Sequence, residues 1–214
     1  MAVTAFQYGK CLANLLGGEI AGDTFAVDYL SDTIRCMLTT VTYAYNLDTH
    51  ETKADVTNEV VGTGYTARGA ALASKTIVYT AANTWATIWV TLTAQAVGDI
   101  VRPTAGNGHL YRCIVAGTTA AGQPTWPTVS GQTVADASVT WAEIGRGLTQ
   151  IDAADISWAA STITARVAVI YKDTGVDATS PLLFLMDFGA DVSSTAATFQ
   201  ITLPVLGIFT YATP

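Results

Sequence analysis

One charged segment of this sequence has the side-chain types of a cation-binding or catalytic site. In the run DTHETKAD, His50 lies beside Asp48, Glu51 and Asp55. Carboxylate and imidazole groups are suitable ligands for cations. An exposed acidic connector has the same composition, however, and no second histidine lies nearby in the sequence. The sequence therefore favours a connector, and we predict no metal site here.

A glycine-rich segment, GTGYTARG at residues 62–69, superficially resembles a phosphate-binding loop. Such a loop requires a lysine and a Ser or Thr after its last glycine, and a helix that faces the phosphate. Here Ala70 and Ala71 follow Gly69, so the lysine is missing. No third glycine or acidic residue falls at the distances that dinucleotide binding requires. We predict a structural loop and no bound cofactor.

The remaining candidates for catalysis are pairs of acids and a pair of serines. Asp152/Asp155 and Asp187/Asp191 flank predicted strands, and paired carboxylates can hydrolyse glycosides. Nothing distinguishes these pairs from ordinary acids in turns. Ser193-Ser194 lacks the GxSxG context of a nucleophilic serine. We therefore predict no catalytic residues and no enzyme, including a free glycan-active enzyme.

Composition points to a protein with a large core and little surface charge. Of the 214 residues, 50% are hydrophobic and 13% are charged, with a net charge of −7. A nucleic-acid-binding surface would need clustered Lys and Arg, which the sequence lacks. The three cysteines, Cys11, Cys36 and Cys113, show no metal-binding spacing, so we expect buried, reduced thiols. The N-terminus resembles neither a secretion signal nor a membrane span, and we expect no membrane partner.

The elements that position these residues are predicted strands, centred on the run from Thr162 to Asp187. In residues 163–171, apolar side chains alternate with others at a period of two, which is typical of a strand with one face on a core. The run Leu182–Met186 is continuously apolar, as expected of a strand covered on both faces. Gly175 lies in the polar loop between them and can adopt positive φ. We predict a central hairpin.

Together with other segments, this hairpin is predicted to form an all-β body of the antiparallel β-sandwich class. We expect one short helix at Tyr8–Leu16, ended by Gly17-Gly18. Strands are predicted for Asp28–Tyr45, for both sides of a turn at Ala82-Asn83 within residues 76–93, and for Ile151–Trp158, Thr198–Leu203 and Gly207–Tyr211.

A small β-rich domain is predicted at residues 94–146, inserted into a loop of the body. Composition changes near Gln95 to frequent Gly and Pro, with short strands at Ile100–Val101, His109–Val115 and Val139–Ile144. Exposed turns tolerate such insertions best. The body is then residues 1–93 with 147–214. His109 has no acidic neighbour in sequence, so we expect it at a surface or in a turn.

The insert resembles the small chitin- and cellulose-binding modules of bacterial glycosidases. It reads Gly-Asp-Ile-Val from residue 98, a Tyr-Arg-Cys strand from residue 111, a TTAAGQP loop at 118–124, and a closing Trp141. The resemblance implies glycan contact through aromatic rings, for which Trp126, Tyr111 and Trp141 are the candidates. Alternatively, Tyr111 and Trp141 form the core of the module. Trp126, between two prolines in a loop, is the better candidate for an external contact.

The body resembles a family of tailed-bacteriophage virion proteins. The shared strings are DTHETKADVTNEVVGTGY at 48–65, AVIYKDTG at 168–175, DFG at 187–189 and GIFT at 207–210. The resemblance implies a non-enzymatic part of a virion, made in the host cytoplasm and assembled as a homotrimer. We favour a capsid decoration or head-fibre protein that docks on the major capsid protein. The alternative is a tail or baseplate adhesin whose insert binds a host-surface glycan.

Overall fold

A computed structural model of the chain describes residues 4–16 and 25–213. Strands account for 47% of it and helices for 7%, in several antiparallel sheets, so the prediction of an all-β, sandwich-like fold is confirmed. Helix α1 spans Cys11–Leu16. In chain order, strands β1 to β14 span Thr4–Gln7, Ile34–Thr39, Ala70–Ala71, Thr76–Ala81, Ala94–Gln95, Ile100–Val101, Leu110–Val115, Gly117–Thr118, Thr133–Asp136, Val139–Gly145, Gly147–Asp152, Ile156–Lys172, Leu182–Ile201 and Phe209–Thr213.

The chain divides into two compact units. The first unit comprises residues 1–77 and 151–209, and the second comprises 78–150 and 210–214. The second unit is therefore larger than the insert expected at 94–146. Its added N-terminal part contributes Trp89, which packs with Val101 and Trp141 in the core of that unit. A strand expected between residues 85 and 93 reduces to a single bridge between Ile88 and Arg102.

The predicted central hairpin forms the middle of the five-stranded sheet of the first unit. The strand order is β1-β13-β12-β2-β3. Tyr171 pairs with Leu182 across the hairpin, and Gly175 in the connecting loop has a φ of +85°. Both strands are longer than expected, because β12 begins at Ile156 and β13 continues to Ile201. The segment Thr198–Leu203, expected as a separate strand, is therefore largely the end of β13.

The burial pattern along β12 changes at Val167, where pairing with β2 begins. Ile163 and Ala165 are buried while Thr164 is exposed, as the alternation predicts. From Val167 to Tyr171, where β2 also pairs with β12, every residue is buried, so both faces of this part of the strand are covered. The core of this unit comprises Tyr8, Met37, Tyr43, Val167, Val169, Tyr171, Leu182 and Leu185.

Two of the predicted elements are shorter in the structure than the sequence predicted. The strand expected over Asp28–Tyr45 is confined to β2, since the Asp28 carboxylate accepts hydrogen bonds from the N–H groups of Leu30 and Ser31 and forms a turn. Helix α1 begins at Cys11 rather than Tyr8. The proposed helix end at Gly17-Gly18 lies outside the described residues.

Residues 156–165 of β12 and 192–201 of β13 form a two-stranded extension of the sheet, which we call the ribbon. Phe188 to Asp191 bulge out opposite Arg166 and separate the ribbon from the lower part of the hairpin. Each ribbon strand also has a register shift next to a residue with positive φ: Ala160 at +47° and Ala196 at +48°. Such bulges bend a strand and increase its twist.

The second unit is built on short strands. A four-stranded sheet has the order β6-β7-β10-β9, and β5 pairs with β8. Strand β9 was not expected from the sequence. A three-stranded sheet has the order β14-β11-β4. The four-stranded sheet carries most of the core of this unit, which comprises Trp89, Val101, Tyr111, Cys113, Val139 and Trp141, with Trp126 and Val134 packed against it.

Candidate functional site

The three aromatic residues proposed to contact glycans lie together in the second unit. The ring centroid of Trp126 is 4.3 Å from that of Tyr111 and 6.0 Å from that of Trp141. Tyr111 and Trp141 come from the adjacent strands β7 and β10, and both have an exposed fraction of 0%. Both rings therefore belong to the core of the unit, which is the position that the alternative interpretation of the sequence assigned to them. A unit this small needs its largest rings to build a core.

The polar atoms of these buried rings are bound inside the unit. The Tyr111 hydroxyl donates to the backbone oxygen of Pro127 at 2.7 Å and accepts from the side-chain amide of Asn107. Trp141 donates its Nε1–H to Asp136 at 2.9 Å. Buried aromatic residues with polar groups need such partners, so these contacts fix Tyr111 and Trp141 as structural residues.

Asp136 is a buried carboxylate that sequence reasoning missed. Its Oδ2 accepts from the indole N–H of both Trp89, at 2.7 Å, and Trp141, and its Oδ1 accepts from the N–H of Ala120 at 2.8 Å. Only 2% of the residue is exposed. No local pattern in the sequence around Asp136 distinguishes it from a solvated turn acid. Three charge-assisted hydrogen bonds make it the centre of the core.

Trp126 is the one member of the trio that keeps exposed surface. The residue is half-buried, and its Nε1–H donates to the Gln123 side-chain oxygen at 2.9 Å. Gln123 also bonds both the N–H and the hydroxyl of Thr104. The indole is thus held on the loop by hydrogen bonds while part of its ring system faces solvent. Contact between Trp126 and a glycan stays a prediction.

His109 is buried, contrary to the expected surface or turn position. Its exposed fraction is 6%, and its Nδ1 lies 2.7 Å from Oε1 of Glu143. The pairing of β7 with β10 brings these residues together from positions 34 residues apart. Glu143 also accepts from the N–H of Gly145, and its Oε2 is buried without a partner among the described residues. Sequence adjacency could not reveal this acidic partner, because it comes from another strand.

The segment around His50 is organised by internal hydrogen bonds. His50 Nδ1 lies 3.0 Å from the Tyr43 hydroxyl, whose own neighbour is the buried Tyr8 hydroxyl at 3.2 Å. Asp55 accepts from the N–H groups of Glu51 and Thr52, both at 2.9 Å, and closes the 3₁₀ turn Lys53–Asp55. Although burial acts in the opposite direction, these hydrogen bonds lower the pKa of Asp55. The carboxylate is therefore used as a cap.

The glycine-rich loop packs backbone against backbone. A Cβ atom on Gly64 would lie 2.8 Å from the Cα atom of Ser161 in β12, and one on Gly69 would lie 2.6 Å from the Cα atom of Met37 in β2. Gly69 also has a φ of +71°, which favours glycine. These distances leave no space for a ligand at either glycine. The two glycines serve close packing of the loop on the sheet.

An ion-pair cluster joins this loop to the loop of the central hairpin. Arg68 contacts Asp173 and Asp177, both at 2.5 Å, and Lys53 lies 3.0 Å from Asp177. Glu59 accepts from the Tyr65 hydroxyl at 2.9 Å. Burial favours the neutral form of Asp173, but hydrogen bonds from Arg68 and a backbone N–H outweigh it and lower the pKa of that carboxyl. Burial also favours the neutral form of Asp177, but hydrogen bonds from Lys53 and Arg68 outweigh it and lower the pKa of that carboxyl.

The acid and serine pairs each have a structural position. Asp155 accepts from the N–H of Leu203 and the side chain of Gln200, and the backbone oxygen of Asp152 accepts from the Tyr29 hydroxyl. Asp187 accepts hydrogen bonds from the Arg166 side chain at 2.9 Å and from the N–H of Gly189 at 2.8 Å. Asp191 is exposed. Further hydroxyl pairs link Ser193 to Thr164 and Ser194 to Ser161, both at 2.7 Å.

An open groove of about 500 Å³ crosses the ribbon on the first unit. Hydroxyl side chains dominate it, and Val61 at its rim is 94% exposed. The lining residues are Thr40, Val60, Val61, Thr162, Ile163, Thr164, Ser193, Ser194 and Thr195.

Within residues 4–16 and 25–213, no group of three or more His, Cys, Asp or Glu side chains could hold a metal ion, and no helix is long and apolar enough to cross a membrane. All three thiols are buried and free, and burial raises the pKa of Cys11 to about 12. No family model, no curated protein and no solved structure matches this chain.

Proposed function

We propose that this chain is a non-enzymatic structural protein of a tailed-bacteriophage virion, and most specifically a capsid decoration or head-fibre protein. The observation that carries this proposal is the ribbon, which exposes a groove lined by hydroxyl groups and the apolar Val61. A protein that acted alone would have to protect the exposed strands of such a ribbon from unwanted pairing. A protein built into a particle has its neighbours to cover it.

The strings that resemble phage virion proteins support the proposal through their positions. Glu59 and Arg68 lie in or next to the first string, whereas Asp173 belongs to a string more than 100 residues away. The ion-pair cluster brings them together within the first unit. Asp187 of the DFG string holds the bulge at the base of the ribbon through Arg166. The shared residues thus maintain a shape, as expected of a structural protein.

In this proposal the first unit docks on the major capsid lattice through the ribbon groove. The second unit provides Trp126 as a site for weak contact with host-surface glycans. A particle carries many copies, and many weak contacts can together give useful adhesion. The resemblance favours three copies in each assembled unit.

A tail or baseplate adhesin is the second candidate function. It would need several exposed aromatic rings in the second unit to bind a host polysaccharide. Of the three rings proposed from the sequence, two are buried and only Trp126 keeps exposed surface. Tyr79, which is 57% exposed, is a further ring of this unit that could serve an adhesin.

Immunogold electron microscopy of particles that carry this protein tests the proposal. Label distributed over the head would support a decoration protein, and label at the tail would support the adhesin. Particles without label, in a preparation where the antibody detects the purified protein, would refute both.

Glycan contact is tested separately with Trp126→Ala. We expect weaker retention on chitin, cellulose or host polysaccharide, with the first unit still folded. Trp85→Ala is the matched control, because Trp85 is also half-buried in the second unit and its indole N–H donates to the backbone of Ile100. Retention that is unchanged in Trp126→Ala, or equally reduced in the control, would rule out a specific contact at Trp126.

A further inference from the structure

The outer edge of the ribbon has no partner strand among the described residues. β13 has two neighbours in its sheet, β12 on one side and β1 on the other. β1 covers only Phe184 to Asp187, whereas β12 continues to pair as far as Ile201. From Val192 to Ile201, the backbone groups on the outer side of β13 therefore form an edge that no other described strand covers.

This edge lacks the usual protection against pairing. Its sequence, VSSTAATFQI, contains no charged residue and no proline. Natural proteins guard exposed edges with charged side chains, prolines, bulges or short strands. The bulge at Ala196 is the one such device here, and it leaves an edge segment on either side. The side chains of Ser193 and of residues 195–198 are exposed and small, so another backbone could approach closely.

We propose that this edge pairs with the same edge of a second copy of the chain. When identical strands pair antiparallel about a two-fold axis, each side chain faces a residue from the same segment. A charged edge would then repel itself, but residues 192–201 carry no charge. The segment is thus electrostatically suited to its own copy. The product is a continuous four-stranded sheet made of β12 and β13 from each protomer.

The inference rests on the proposed structural function, because assembly is what gives an unguarded edge a use. It also specifies that function further. The resemblance favours three copies, whereas two-fold pairing of edges joins two. Pairing covers the outer edge of β13 in both protomers and requires no change in the structure of the first unit.

Sedimentation equilibrium of the purified chain tests the pairing. We expect a mass of two chains for the natural protein. The double variant Thr195→Lys/Thr198→Lys should be a monomer at the same concentration, with dissociation at least tenfold more favourable. The double variant Thr195→Glu/Thr198→Glu should behave in the same way. A 1:1 mixture of the two variants should restore the dimer, because the two edges then carry opposite charges, which attract, in place of like charges, which repel.

Thr33→Lys/Thr49→Lys is the control for added charge, since both threonines are exposed on the first unit and belong to neither strand of the ribbon. It should remain a dimer. Circular dichroism of each variant verifies that the sheets are intact. A monomeric natural protein, a mass of three chains that the Lys variant leaves unchanged, or a mixture that stays monomeric would overturn the proposal. These results do not depend on immunogold labelling, so a virion protein that is monomeric in solution would refute the pairing and leave the virion function standing.

Discussion

Replacing Gly69 with alanine should destabilise the first unit strongly, because two separate costs act at one position. A residue with a Cβ atom in the left-handed region costs about 1–2 kcal/mol relative to glycine. The added Cβ would also lie 2.6 Å from the Cα atom of Met37, and overpacking of this kind costs about 1–3 kcal/mol. The neighbouring atoms belong to the backbone of β2 and cannot rotate away. We therefore expect a loss of about 2–5 kcal/mol in the free energy of unfolding.

Gly175→Ala is the matched control for the backbone term. Gly175 has a φ of +85°, close to the +71° of Gly69, but nothing lies within 4 Å of the position of its Cβ atom. We expect a loss of about 1–2 kcal/mol in this variant, from conformation alone. The difference between the two variants then isolates the close approach of loop and strand.

Labelling of the Cys36 thiol measures this difference directly. Cys36 is fully buried in β2, and burial raises its pKa, so a maleimide can react only when the first unit opens. A difference of about 2 kcal/mol between the variants corresponds to roughly thirtyfold faster labelling in Gly69→Ala. Cys113, read from its own peptide by mass spectrometry, reports on the second unit. Equal labelling rates at Cys36 in the two variants would refute the backbone contact.

Three further predictions concern buried carboxylate and bulge positions. Asp136→Ala should lower the stability of the second unit by about 3 kcal/mol or more, since it leaves three buried N–H donors without a partner; tryptophan fluorescence in urea would measure this, and a change below 1 kcal/mol would contradict it. Arg68→Met should cost about 2 kcal/mol at pH 7. Because the folded-state pKa of Asp173 is lowered, its stabilisation is complete above the unfolded pKa of about 3.9 and disappears as pH falls through the folded value. The difference between the natural protein and Arg68→Met should therefore shrink below about pH 4, and a constant difference would contradict the ion pair. Ala160 has a φ of +47°, so Ala160→Gly should raise the free energy of unfolding by about 1 kcal/mol and Ala160→Val should lower it by about 1 kcal/mol. Thermal denaturation would show the first change as a higher midpoint and the second as a lower one, and the reverse order would contradict the bulge.

Local patterns predicted the elements whose stabilising contacts are local or periodic. The alternation before Tyr171 and the apolar run Leu182–Met186 identified the central hairpin, because their side-chain periodicity reflects which face is covered. The strand predicted from Asp28 was too long, because the pattern of apolar residues does not register hydrogen bonds from a side chain to its own turn. Extension of β13 to Ile201 was hidden by bulges that break the period of two.

The candidate site shows the same limit. Proximity in sequence could not connect His109 to Glu143, or Arg68 to Asp173, since both pairs form only when distant segments meet. The type of an aromatic residue likewise does not reveal its exposure. Tyr111 and Trp126 are both aromatic residues of the second unit, yet one is wholly inside and the other is partly outside.

The discontinuity of the first unit determines the order in which the chain can fold during synthesis. β2 ends at Thr39, and Val167, its partner in β12, follows 128 residues later. At about 5–20 residues per second, a ribosome needs roughly 6–26 s to add this segment. Nearly all of the second unit emerges in that interval, so it can fold while β2 still lacks β12, with only the two-residue strand β3 available on its other side. Chaperone binding during translation should therefore concentrate on nascent chains that end between Thr39 and Val167.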